Sequence, residues 1–149
     1  MRLGVISDTH NVLKEEVLDY LKGCDYIIHA GDVCDEAIVN HLNTLAKTFV
    51  VRGNNDQGQW GSQLPEYLEI ELDDILIYVV HDQKDIPKQL NHVDLVIYGH
   101  SHKYHEEVRD SVTFLNPGGC GRRRFSLPLT MALVDLTGND MKISKIELD

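Results

Sequence analysis

The residues best equipped for chemistry in this 149-residue chain fall into five groups: Asp8-Thr9-His10, Gly31-Asp32, Gly53-Asn54-Asn55-Asp56, His81 and Gly99-His100-Ser101-His102. They offer imidazole nitrogens together with carboxylate and amide oxygens, and no thiolate. That donor mix suits Mn2+, Ni2+, Fe2+ or Zn2+ rather than Ca2+ or a structural, cysteine-bound zinc. Asp8 and His10, like His100 and His102, stand two residues apart, a spacing that in extended chain turns both side chains to one face. A carboxylate such as Asp32 can bridge two cations about 3.5–4 Å apart, the separation that clamps the attacking and leaving oxygens of a displacement.

Each group follows an apolar run. Arg2–Ser7 leads into Asp8, Tyr26–Ala30 into Gly31-Asp32, Thr48–Arg52 into Gly53-Asn54, Ile75–Val80 into His81, and Leu95–Tyr98 into Gly99-His100. The carboxyl ends of strands are where open α/β sheets bind their ligands. A glycine before Asp32, Asn54 and His100 permits the sharp turn and close backbone approach that such a rim needs. Between the first strands, Val12–Lys22 and Asp35–Ala46 carry apolar residues at helical spacing. This β-α-β-α-β order implies parallel strands covered by helices. In the second half, Tyr67–Leu72 and Ile75–Val80 read as a hairpin, and a short helix is expected near Ile86–Leu90. Three or four strands follow Leu95–Tyr98, the last two, Met131–Leu136 and Met141–Leu148, flanking the hairpin signal Gly138-Asn139. The expected fold is α/β: a parallel half followed by a largely antiparallel one, in a single domain over residues 1–149 with no repeat or linker.

Taken in order, the series DxH, GDxxD, GNxD, H and GHxH resembles the calcineurin-like metallophosphoesterase superfamily. Asn116-Pro117-Gly118, after the last histidines, resembles its small prokaryotic phosphodiesterase branch, and the likeness runs from Arg2 to about Leu136. The resemblance implies a four-layer α-β-β-α sandwich of mixed sheets flanked by helices. It implies a hydrolase of small phosphate esters, diesters ahead of monoesters, that carries two divalent metals, Mn2+ being the first expectation, and attack by a hydroxide shared between them. Position by position, it makes Asp8, His10 and His102 ligands of one metal and Asn54, His81 and His100 ligands of the other, with Asp32 bridging.

Two departures stand out. At Asn55, a catalytic position, many relatives carry a histidine that donates a proton to the leaving oxygen; an amide can donate a hydrogen bond but no proton at pH 7. Asp82 follows His81 where relatives usually have glycine. The superfamily also includes a trafficking-coat subunit lacking part of the ligand set, so a protein-interaction scaffold on the same fold is the alternative function.

Other features carry weaker chemistry. His29 reads as a core histidine or one standing behind the ligands, His41 and His92 as solvated, and His105 as at most near the rim. Arg122-Arg123-Arg124 either grips substrate phosphate or pairs with surface carboxylates, and Trp60 either stacks on an aromatic substrate or lids the core. Three cysteines, Cys24, Cys34 and Cys120, at no zinc-like spacing read as small buried hydrophobes in a reducing compartment. A net charge of −10 disfavours binding to nucleic-acid backbones, whereas two divalent cations would leave a cationic pocket in an acidic protein. No apolar run approaches the roughly 20 residues of a membrane span. A cleaved leader would remove Asp8 and its neighbours, so a cytoplasmic location is expected; self-association is left open.

Overall fold

The computed structural model describes residues 1–149. Strands β1 (Arg2–Ile6), β2 (Tyr26–His29) and β3 (Lys47–Val50) run parallel, linked by helices α1 (Glu15–Leu21) and α2 (Glu36–Leu45). A single helical turn, α3 (Gly58–Gly61), leads to β4 (Tyr67–Leu72), β5 (Ile75–Val80), β6 (Leu95–Ile97), β7 (His105–Arg109) and β8 (Val112–Asn116). The chain closes with the hairpin β9 (Thr130–Thr137) and β10 (Asp140–Glu147). Two five-stranded sheets result, in the orders β10-β9-β1-β2-β3 and β4-β5-β6-β8-β7.

Strand alternation explains the layering. Leu3 and Val5 of β1 and Val134 and Leu136 of β9 meet Ile77 and Val79 of β5 and Leu95 and Ile97 of β6 between the sheets. The opposite face of the first sheet, with Ile27 and Leu133, is covered by Val17 and Leu21 of α1 and Ile38 and Leu42 of α2. Each such fully buried side chain contributes about 1.5–3 kcal/mol. This mixed sandwich is the expected architecture, with few helices. No helix is long and apolar enough to cross a membrane.

Three local expectations change. Helix α1 starts at Glu15 rather than Val12, because the Val12 N–H is already turned back onto Thr9 O. The expected helix at Ile86–Leu90 is absent: a 3-10 turn occupies Gln83–Asp85, and Ile86, which precedes Pro87, is extended. The second half is also less antiparallel than its sequence suggests. Strands β5, β6 and β8 run parallel to one another, and the β9–β10 hairpin joins the first sheet instead. The β5–β6 crossover holds only a 3-10 turn and the β6–β8 crossover only the edge strand β7, so no helical pattern announces them. The carboxyl ends of β1, β2, β3, β5 and β6 consequently gather at one edge.

Candidate metal centre

Where three of the five apolar runs end, the backbone turns hard. Asp8 (φ 54°), His10 (45°), Asp32 (59°), His100 (76°) and His102 (63°) all adopt the left-handed conformation, uncommon outside glycine. The two-residue spacing of Asp8/His10 and His100/His102 therefore does not act through extended chain, as the sequence suggested; the chain curls at each residue. Main-chain bonds lock these turns, with Asp8 N–H donating to Gly31 O (3.0 Å), His10 N–H to Asp32 O (3.0 Å) and Gly99 N–H to His81 O (2.9 Å). The glycines have the expected role of allowing close approach. A Cβ at Gly31 would lie 2.7 Å from His81 Nδ1, one at Gly99 2.8 Å from Asp8 Oδ2, and one at Gly53 would run into the Asp32 carboxylate.

The seven expected ligands meet in two groups. Donor atoms of Asp8, His10 and His102 lie within 4.8 Å of one another, as do those of Asp32, His81 and His100. Asn54 Oδ1 joins the second group, 3.1 Å from both His81 Nε2 and His100 Nδ1. Asp32 Oδ2 lies between the groups, 3.5 Å from His10 Nε2 and 3.3 Å from His81 Nε2. Asp8 Oδ1 faces His102, His10 and His81 nitrogens at 3.6, 3.7 and 3.9 Å; although buried, it accepts no hydrogen bond. Buried polar atoms rarely go unpaired. An orphaned carboxylate oxygen ringed by imidazoles fits a divalent cation, and the mixed N/O donors suit a transition metal.

The field inside the site favours cations. Burial works to raise the Asp32 carboxyl, but hydrogen bonding and charge from His81, with two hydrogen bonds from Asn55, hold it well below the usual carboxylate range. For Asp8, burial is likewise outweighed, by His10, His81, Ser7 and His102. Burial opposes a charge on His81, yet Asp32 and Asp8 draw its pKa up to about 9. His81 Nδ1 donates to Ala30 O at 2.7 Å, which leaves Nε2 aimed into the site. Asp8 raises His10, whereas desolvation lowers His102.

Supporting residues explain how these side chains hold their places. Asp56 is fully buried and accepts from the N–H groups of Asp32 (2.9 Å), Cys34 (2.8 Å) and Gly53 (2.8 Å). It fastens the second and third loops together and so is spoken for as a backbone anchor. Asn116 does the same for the last loop, donating to Gly99 O and Ser101 Oγ while accepting from Gly118 N–H; the Asn-Pro-Gly triplet was its only sequence signal. Asn55 turns inward, its N–H on Asp32 Oδ1 at 2.8 Å and its amide on Asp32 Oδ2 at 3.0 Å. Asp82 Oδ2 lies 3.7 Å from His100 Nε2, on the far side of that ring from Asn54 and His81.

Several sequence alternatives are decided by position. His29 is fully buried behind the two groups: its Nδ1 accepts from Gly31 N–H (3.0 Å) and Nε2 therefore donates to Thr9 Oγ1 (3.0 Å). Desolvation keeps it neutral, with its pKa lowered to about 4. His41 and His92 are exposed, and His105 lies on β7 beside Glu107, outside the site. Trp60 packs on the core under the helices. Arg122, Arg123 and Arg124 are exposed and form no ion pair, against the surface-pairing expectation, and Arg124 stands close enough to depress His10 and His102 electrostatically. Cys24 and Cys120 are buried, as expected, but Cys34 is exposed. It sits in the left-handed turn after Asp32 (φ 74°), with Sγ 3.8 Å from His10 Nδ1, because the rim rather than the core claims that loop.

Comparison with known proteins agrees with this fold. Residues 1–139 match the profile of the calcineurin-like phosphoesterase superfamily domain. A probable metallophosphoesterase of Methanocaldococcus jannaschii is 37% identical over 135 residues, covering 79% of this chain and 67% of the relative. A phosphodiesterase of the same organism is 26% identical over 155 residues, covering 91% and 93%. Among solved structures, wild-type Vps29 of Entamoeba histolytica, complexed with Zn2+, superposes with a TM-score of 0.76 at 22% identity, covering 99% of each chain.

Proposed function

This chain belongs to the calcineurin-like phosphoesterase superfamily, and on that premise we propose that it is a phosphodiesterase working with two divalent metal ions, Mn2+ foremost. Asp8, His10 and His102 would hold one ion, Asn54, His81 and His100 the other, and Asp32 both. The observation that carries this reading is the buried, unpartnered Asp8 Oδ1 among three imidazoles. Bound there, the metals supply Lewis acidity and lower the pKa of water toward neutrality. Small phosphate esters are the proposed substrates, taken at the rim the strands share.

The chain's own residues shape the rest. Asn55 spends one amide hydrogen on Asp32 Oδ2 and keeps the second for a phosphoryl oxygen. It orients without protonating. General acids contribute about 10²–10⁴-fold, most where the departing alkoxide is basic, so aryl esters should outrun alkyl esters. The test is a leaving-group series on Mn2+-loaded protein. A rate indifferent to leaving-group pKa would contradict the role given to Asn55.

A second reading, a protein-interaction scaffold, draws on the same asparagine and on the fold likeness to Vps29. It predicts that metal-replete protein hydrolyses no ester, and that Asn55→His does not awaken it.

A further inference from the structure

A cavity of about 550 Å3 opens directly from the metal centre, and Asn54 and His81 form its inner wall. Its volume falls in the usual range of ligand pockets, about 300–1,000 Å3. The side wall comes from the β4–β5 hairpin. In that register Tyr67 pairs with Val80, the residue before His81, so the Tyr67 ring stands at the threshold of the site. Along β4, Leu68, Ile70 and Leu72 turn inward while Tyr67, Glu69 and Glu71 turn outward. An aromatic ring is thus planted at the metal end of an otherwise acidic face.

The ring is arranged to stack. One face lies on Tyr78, with centroids 5.5 Å apart and planes 12° from parallel; the residue remains 54% exposed. Tyr78 is buried, so it braces Tyr67 and leaves the other face free. Arg52, also on the cavity wall, has its Nε fixed on Asp56 O at 3.1 Å, which holds the remaining guanidinium donors in place. Glu66 adds an acceptor. A flat group carrying both hydrogen-bond acceptors and donors meets all of these at once; a short alkyl chain meets none. Trp60, the other aromatic candidate, is committed to the core.

We propose that this cavity receives the aromatic group of the substrate, stacked on the free face of Tyr67, so that the enzyme selects nucleoside-type phosphodiesters over alkyl ones. The assignment rests on the phosphodiesterase reading for its phosphate site but makes a claim of its own about what lies beside it. Stacking of a base on an aromatic side chain changes affinity by about 5- to 150-fold on alanine substitution. The probes are thymidine 5′-monophosphate and ribose 5-phosphate, titrated calorimetrically into the Mn2+-loaded full chain. Wild type should prefer the nucleotide by a factor in that range, Tyr67→Phe should keep the preference, and Tyr67→Ala should erase it while circular dichroism shows the fold retained. Equal affinity for the two probes in wild type, or a loss in Tyr67→Ala shared equally by both, overturns the proposal. Hydrolysis of bis(p-nitrophenyl) phosphate is measured alongside. Hydrolysis without a base preference removes the cavity assignment and leaves the enzyme; a base preference without hydrolysis of any ester keeps the cavity and removes the enzyme.

Discussion

The two ends of the sandwich use the same unusual backbone for opposite purposes. At the end remote from the candidate metal centre lie the turns of all three hairpins and the loop before β6, where Asp73, His92, Asp110 and Ser111 are left-handed and exposed. There a short polar residue tolerates positive φ with its side chain in water. At the near end Asp8, Asp32 and His102 take the same conformation while buried at 0, 2 and 5% exposure, with side chains pointed at one another. Strain of order 1–3 kcal/mol at such a residue persists only where the surroundings over-determine it. Far-end strain relaxes into solvent; near-end strain is combined with buried charge and an unpaired oxygen, which is the mark of a binding site.

Asp32→Ala should break the near end most. It strips the carboxylate shared by the two groups and the anchor of Asn55, so turnover should fall by well over the roughly 10–100-fold typical of losing a supporting residue. Circular dichroism should show the fold retained, since both cores are untouched.

Glycine substitutions put the two ends side by side. Gly53→Ala drives a methyl into Asp32, and relief would have to move a ligand loop. A loss of about 3 kcal/mol or more of stability is expected, together with weakened metal binding. Gly138→Ala, at the far hairpin (φ 63°), meets nothing within 4 Å and should cost only about 1–2 kcal/mol of conformational strain. Chemical denaturation of the two variants measures the difference; equal losses would remove the contrast between the ends.

Burial of His29 adds a pH signature. Its folded pKa of about 4 lies below the ordinary 6.5, so unfolding takes up a proton between those values. The His29 contribution is full above pH 6.5, falls through the interval and levels off below about pH 4. The total is about 3 kcal/mol at up to about 1.4 kcal/mol per pH unit. Denaturation of metal-free protein at pH 7 and pH 4.5 should show this slope in wild type and a shallower one in His29→Gln; parallel slopes would contradict it.

Much of this was legible in the sequence, for identifiable reasons. The ligand types and the glycines before Asp32, Asn54 and His100 announced themselves because metal chemistry and close approach restrict residue choice. The βαβ half was readable because α2 carries both an Asp35 cap on Ala37 N–H and a clean apolar face. The parallel core of the second sheet was not, since irregular crossovers leave no period to read. Asp56 stands in the sequence among the groups equipped for chemistry, and only its three backbone donors reveal an anchor. Tyr67 opens an expected strand, and only the cavity it lines together with His81 gives it a role.

The central claim is that the near end holds two metal ions. Protein loaded with Mn2+, freed of excess metal and analysed for elemental content against protein concentration should carry two ions per chain. Asp32→Ala should lower that number. A stoichiometry that stays at or below one in the wild-type chain would contradict the account.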